Sequence, residues 1–460
     1  MRTFLAAFAV TTAMVAAPAA QAETLADALI AAYKSSHLLE QNQAVLRAAD
    51  EDAAIAVAKL RPVVDFTTRG SWTKYDNASP LGSSLPVANY ETSNASAALT
   101  ASLVLYAGGR TKLGGAVAKE AVLATRASLI NVEQQVLLAA VAAYVDVRLQ
   151  GEIVGLRQSN MRLIAQELQA AKDRFDVGEV TLTDVSLAEA ALAAARSGLA
   201  AAQGNLEVAR ERYKAATGHY PSDLKALPKT PALPASQDEA RAIAVRNHPS
   251  VIAAQHQAKI ADLRVQIAKG AMLPTLAATA STTETNTGLG NTSVGLSFSQ
   301  PIYHGGELSA LYRQSLAQQE AAAAGNHQTV VAVSESLGSA WSSLAVANAS
   351  IQASSLQVTA AQKAFDGVRE EAKLGARTTL DVLNAEQDLL NARAGKLQSE
   401  AGRYVGVYQL LAATGQLTAQ RLNLGIATFD PEAYYNAVKK APAISMQGKR
   451  LDRIMDKLKK

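Results

Sequence analysis

Two stretches decide how this chain folds: DVGEVTLTDV, Asp176–Val185, and KLGARTTLDV, Lys373–Val382. In each, a glycine is followed by a threonine-bearing stretch and then by Asp-Val. The echo is wider than these segments. Ala171–Gly218 aligns with Val368–Gly415 without a gap, sharing Gly178/Gly375, Thr181/Thr378, Asp184/Asp381, Glu189/Glu386, Arg196/Arg393 and a closing Ala-Thr-Gly. At the same offset YAGGR (Tyr106–Arg110) meets YHGGE (Tyr303–Glu307). Further upstream AVAKLRPVVDF resembles IAKGAMLPTLA, pairing Pro62 with Pro274. Glycines and aspartates carry the match, which alanine alone would not. The chain is a tandem duplication of a unit of roughly two hundred residues, longer than solenoid repeats.

Each unit reads as helix, strand, strand, long helix, helix. The segment from Glu23 to Leu60 has helical period and composition, and Pro62 ends it. The period then switches to two. Val64, Phe66 and Trp72 fall on one face and Asp65, Thr67, Arg69 and Ser71 on the other. Leu99 and Leu103 alternate with Thr100 and Ser102, and Val294, Leu296 and Phe298 with Ser293, Ser297 and Ser299. This predicts strands near 63–75, 93–106, 275–284 and 291–300. The polar stretches DNASPLGSSLPVAN and ETNTGLGN serve as hairpin loops.

After the double glycines the helical signal resumes. No proline interrupts residues 110–177, and apolar residues recur at threes and fours. A continuous helix of that span is about 100 Å long at 1.5 Å per residue, too long for a compact core. It is a coiled-coil element. Long helices are predicted at 110–177 and 306–374, with return helices at 184–217 and 381–414. Gly178 and Gly375 end the long helices, and Thr181–Asp184 and Thr378–Asp381 begin the return helices as turns and N-caps. The two quoted stretches are therefore two hairpin tips.

The first repeat spans 23–218 and the second 238–415. A proline-rich linker, 219–237, joins them. A C-terminal segment, 416–440, and a basic tail, 441–460, follow, the tail expected to be solvated and disordered. Residues 1–22 read as a secretory leader: Arg2, an apolar stretch from Leu5 to Val15, and a small-residue cleavage site ending at Ala22. Beyond it no apolar run is expected to cross a bilayer as a helix. Four strands with one apolar and one polar face match transmembrane β-strands. Four strands cannot close a barrel, and an open edge is not tolerated in lipid, so several copies must share one wall. The expected fold class is mainly α with transmembrane β.

Composition narrows the function. There is no cysteine, hence no disulfide, thiolate metal site or lipid anchor on Cys. A net charge of +4 over 460 residues argues against nucleic acid. The six histidines are scattered, and none makes an HExxH or an i,i+4 pair. No metal site, cofactor or catalytic motif is expected, and no enzyme activity.

The tandem unit, LPTL (Leu273–Leu276), QPIYHGGE (Gln300–Glu307), both tips and LNLGIATFDPEAYYNAV (Leu422–Val438) together resemble the TolC family of outer-membrane efflux and secretion channels. The resemblance implies a homotrimer with a shared 12-stranded barrel in the outer membrane and an α-helical tunnel across the periplasm. Its partners would be a periplasmic adaptor (membrane fusion) protein, an inner-membrane transporter of ABC or RND type, and outer-membrane lipid.

Carried over by position, Arg377 would contact Thr183 and Asp184 in a closed gate. Asp381 would form an acidic ring, with Asn384 where the family archetype has a second ring aspartate. Ala372 stands where that archetype has tyrosine, so a less firmly held, less acidic gate is expected. Val177, Gly178, Glu179, Leu374, Gly375 and Ala376 would meet the adaptor. Val64, Phe66, Trp72, Leu99, Leu103, Val294, Leu296 and Phe298 would face lipid. Helix capping alone is the plainer role for the tip aspartates. The cargo stays open between protein, drug and polysaccharide, with FDPEAYY similar to type I secretion relatives. A periplasmic coiled-coil adaptor and a secreted structural coiled coil are the alternatives.

Overall fold

The computed structural model describes residues 22–78, 88–439 and 453. The leader up to Gln21, the centre of the first hairpin loop and nearly all of the basic tail lie outside the described residues. The elements run α1 (Leu25–Ser35), α2 (His37–Ala58), β1 (Val63–Ala78), β2 (Ala88–Ala107), α3 (Arg110–Asp176), α4 (Leu182–Thr217), α5 (Gln237–Asn247), α6 (Pro249–Gly270), β3 (Thr275–Thr285), β4 (Gly290–Ser299), α7 (Glu307–Lys373), α8 (Thr379–Ala413) and α9 (Pro431–Val438). The duplicated plan is present. Three details differ from the sequence reading. The first helix is two helices, because the Ser36 hydroxyl accepts the Leu39 N–H and starts a new N-terminus. Strands β1 and β2 run further into the polar loop than period-two patterning indicated. The FDPEAYY segment holds a helix, capped by Asp430 with Pro431 in its first turn.

The four strands form one antiparallel sheet in the order β1-β2-β3-β4, so the pairing of β2 with β3 joins the repeats. Register puts Val64, Ala101, Ala280 and Val294 in one row, Phe66 and Leu99 in the next, and Leu103, Ala278 and Leu296 in another. Because side chains alternate along a strand, all eight apolar strand residues named above share a face. Asp65, Thr100, Ser281 and Ser293 share the other. Among the described residues nothing covers the apolar face: Phe66 is 69% exposed, Leu99 46% and Phe298 69%. Strands β1 and β4 are each paired on one side only.

The main core lies where α1 and α2 pack against the middle of α3. The linker is pinned there by Tyr144, whose hydroxyl donates to the Glu23 and Lys225 carbonyls at 3.0 and 2.8 Å, and by Arg148, which donates to the Leu224 carbonyl at 2.8 Å. From the C-terminal segment, the Ala419 N–H donates to Glu133 at 2.7 Å, and Tyr434 of α9 donates to Glu51 at 2.7 Å. Asp50 of α2 is buried on the Leu46–Ala53 stripe with neither carboxylate oxygen hydrogen-bonded among the described residues. Burial pushes its pKa up to about 6, opposed by the nearby Arg126 guanidinium.

One expectation needs correction. Helices α3, α4 and α7 each contain an 18-residue window apolar enough to cross a membrane by length and composition. Alanine supplies that hydropathy. In the fold these helices pair as long hairpins, α3 with α4 and α7 with α8.

Candidate functional site

The hairpin tips are built alike, bond for bond. Helix α3 ends with Gly178 at φ +80°. The Gly178 N–H donates to the Phe175 carbonyl at 3.0 Å and the Glu179 N–H to the Arg174 carbonyl at 2.9 Å. Helix α7 ends with Gly375 at φ +77°, Gly375 N–H on the Ala372 carbonyl at 3.1 Å and Ala376 N–H on the Glu371 carbonyl at 2.9 Å. Both are Schellman closures, and both need a residue that tolerates positive φ. Each return helix then opens with a capping box. Asp184 accepts from the Thr181 N–H and hydroxyl at 3.0 and 2.7 Å; Asp381 accepts from the Thr378 N–H and hydroxyl at 2.9 and 2.8 Å. The Thr181 hydroxyl and N–H hold the Asp184 carboxyl below the usual range. The Thr378 N–H and hydroxyl do the same for Asp381.

The capping role is therefore present at both tips, and each box employs one carboxylate oxygen, Oδ2. Asp184 and Arg377 line one open cleft of about 530 Å³ between the tips, with Arg174, Glu179, Leu374 and Thr378. Within the chain Arg377 donates through Nε to Glu371 Oε2 at 2.8 Å. Thr183 and Asn384 are exposed, and Asp381 is only partly covered. Val177 and Leu374, equivalent residues one position before each glycine, are exposed apolar knobs. Ala372 is buried among Phe365, Val382 and Leu389. It also borders a smaller cleft of about 140 Å³ against α3, space that a larger side chain at this position would enter.

Above the tips lies a contact that sequence reasoning missed. Asn160 of α3 donates to Glu386 Oε1 of α8 at 3.0 Å, and both side chains are buried. Burial raises the Glu386 pKa, and the Asn160 bond opposes that shift. A second tie, Arg369 to Glu167 at 3.3 Å, joins α7 to α3 nearby. Together they bind the first hairpin to the second. Glu386 was visible as one half of a repeated pair, but its burial depends on Asn160 of α3, 226 residues away in the chain. Among the described residues no group of three or more His, Cys, Asp or Glu side chains could hold a metal ion.

The profile of the outer membrane efflux protein family matches residues 28–219 and 241–416, which is most of both repeats. The chain belongs to that family. The outer membrane efflux protein BepC of Brucella suis is 38% identical over 428 residues, covering 92% of this chain and 91% of BepC. The outer membrane protein TolC of Escherichia coli is 26% identical over 316 residues, 63% of each chain. In structure, the CmeC outer membrane channel of Campylobacter jejuni matches 92% of this chain and 90% of its own, with a TM-score of 0.76 at 16% identity; that likeness concerns the fold. Family membership identifies an outer-membrane export channel of the Gram-negative envelope, of the TolC type, rather than an enzyme. Channels of the family work in tripartite complexes with an adaptor and an inner-membrane transporter.

Proposed function

We propose that three copies of this chain form one passive export duct, with a single 12-stranded barrel in the outer membrane and a tunnel of paired helices reaching into the periplasm. One observation carries the reading: among the described residues, a four-stranded sheet has unpaired edges at β1 and β4 and an uncovered apolar face. A patch of that kind on a soluble monomer invites association. In lipid, only closure removes the edges, and known barrels begin at eight strands, which requires more than one copy. Three is the number that the family resemblance supplies. Neither a one-hairpin adaptor nor a filament subunit has a use for such a sheet.

In this reading the tips are the periplasmic gate. Arg377 leaves Glu371 to engage Thr183 and the free oxygen of Asp184, a charge-assisted contact between neighbouring coils. Asp381 forms a ring that favours cations at rest, with Asn384 adding no charge. Val177, Gly178, Glu179, Leu374, Gly375 and Ala376 present the surface for the adaptor. The inner-membrane transporter, of ABC or RND type, supplies the energy, and the cargo is a secreted protein, a drug or a polysaccharide.

Fractionation and planar-bilayer recording test this. The expected result is a detergent-stable trimer in the outer-membrane fraction that conducts poorly at rest, with Arg377→Ala or Asp184→Ala raising resting conductance. A freely soluble product removes the duct. Unchanged conductance in both variants removes the gate assignment and leaves the duct standing.

A further inference from the structure

We infer that Arg126 of α3 is shared between two carboxylates, Glu432 on α9 and Asp50 beneath it, and that α9 is a pH-sensitive clasp over α2 and α3 that loosens when Asp50 ionises. The inference goes beyond the duct and does not depend on it. The C-terminal segment is bonded to α3 at Glu133 and ends in α9, which packs on α2. Side chains hold it there. Tyr434 donates to Glu51 Oε1 at 2.7 Å, the Phe429 N–H donates to the Tyr33 hydroxyl at 3.2 Å, and Val438 is buried. Arg126 adds a further hold. Its Nη1 donates to Glu432 Oε1 at 3.4 Å, and its guanidinium lies 5.2 Å from the centre of the Tyr435 ring.

Beneath α9 the same arginine faces a group that it does not reach. Asp50 is 1% exposed and lies close enough for the Arg126 charge to act on its carboxyl. Yet among the described residues neither of its oxygens is hydrogen-bonded. Arg126 Nε and Nη2 are buried too, and they have no partner among the described residues. Two donors and a carboxylate of opposite charge are thus buried near one another and unjoined. Each unmet group costs free energy. The arginine cannot serve both sides. Placed at Glu432 and Tyr435 it is outside ion-pair distance of Asp50, and moving in to Asp50 draws it off α9. A protonated Asp50 leaves the arginine to Glu432. An ionised Asp50 is a buried charge, and Arg126 is the cation that acts on it.

Helix α2 packs mainly on α3 and α9. Around Asp50, α2 itself contributes Arg47 and Glu51, α3 contributes Arg126, and α9 contributes Glu432 and Tyr434. Burial pushes the Asp50 carboxyl up to about 6, Arg126 opposes the rise and Glu51 adds to it. Burial also pushes Tyr434 up, so its hydroxyl stays a neutral donor to Glu51 throughout. In the clasped state the Asp50 pKa is therefore raised. Once Arg126 has moved onto the carboxylate, the ion pair lowers it. Ionisation thus favours the released state. Helix α9 is held firmly below the lower of the two values, loosens as pH rises between them, and is loosest above the clasped value of about 6.

The absence of native cysteine supplies the test. Val438→Cys places one thiol on the buried face of α9, and Ala433→Cys places one on its exposed face. Dividing the alkylation rate of the first by that of the second, in the full chain in detergent, removes the ordinary pH dependence of a thiol. The ratio is expected to rise about tenfold between about pH 5 and about pH 7.5, the change that one pKa unit between the two states produces. Asp50→Asn is expected to hold the ratio at its low-pH value throughout. That variant separates Asp50 from Glu133, a second carboxyl raised by burial, at the other end of the segment. Glu432→Gln is expected to raise the ratio at the acid end, and no change there overturns the sharing of Arg126. A ratio that is flat or falls with pH overturns the clasp. A rise that Asp50→Asn leaves intact overturns its assignment to Asp50. If Val438→Cys fails to fold, hydrogen exchange of amides 431–438 in the unaltered chain, corrected for intrinsic rate, reads the same opening. Protection that falls as pH rises supports the inference, and protection that stays constant or grows overturns it.

Discussion

Helices α3 and α7 have the same length, 67 residues each, and the same glycine turn at the end, yet they keep different company. Seventeen side chains of α3 are buried against seven of α7. Helix α3 packs on α1, α2 and α4 of its own repeat and on α6 and α8 of the second. Helix α7 packs mainly on α5, α6 and α8 of its own repeat, and touches the first through the Arg369–Glu167 pair. Local instructions therefore fix local structure, since both tips close with the same bonds. Burial is decided by neighbours. On the trimer reading proposed above, the exposed apolar positions of α7 are where another chain docks.

The largest effect separates the two flanks of α7. Leu337 is fully buried on the covered flank, and Leu337→Ala is expected to cost about 2–5 kcal/mol in denaturant unfolding of the solubilised protein. Val346→Ala, on the open flank, should leave the dissociated chain nearly unchanged and weaken the assembled particle. Equal costs in both states would break the comparison.

Next comes the internal seam. Glu386→Ala leaves Asn160 without its acceptor and is expected to cost about 1–3 kcal/mol. Glu386→Gln keeps an acceptor and removes a buried charge. The folded-state pKa of Glu386 lies above its unfolded value, so its ionisation opposes folding. That penalty is absent below the ordinary carboxylate range and grows as pH rises through it. It is complete once pH exceeds the raised folded value. Asp50 and Glu133, also raised by burial, titrate in the same window, so thermal melts should show a slope that Glu386→Gln reduces; an unchanged slope would locate the titration in those groups.

The smallest effect should be shared. Thr181→Ala and Thr378→Ala each remove an N-cap of the same geometry, and matched losses of about 1 kcal/mol are expected. A loss at one tip only, read by local hydrogen exchange, would mean that the tips differ in something other than sequence position.

Much of this was legible because it is periodic or local. The duplicated glycine and Thr-x-x-Asp pattern located both tips, and period two placed eight apolar residues on one face of the sheet. What could not be read is non-local. Asp50 lies on a helical stripe between Leu46 and Ala53, but only packing shows that its carboxylate meets no hydrogen-bond partner among the described residues. Arg377 bonds Glu371 because the tip turn folds back on itself, a choice among nearby carboxylates that spacing does not settle. Alanine-rich coiled coil and transmembrane helix also share a hydropathy, which is why three helices qualify as spans by composition.

The central claim is that hydrocarbon touches the apolar face of the sheet, and Trp72 reports on it directly. The chain has two tryptophans, Trp72 on that face and Trp341 on α7. In a Trp341→Phe variant reconstituted into bilayers with brominated acyl chains, strong quenching of the remaining fluorescence is expected. Emission that brominated lipid leaves untouched, while aqueous iodide quenches it, would contradict the account.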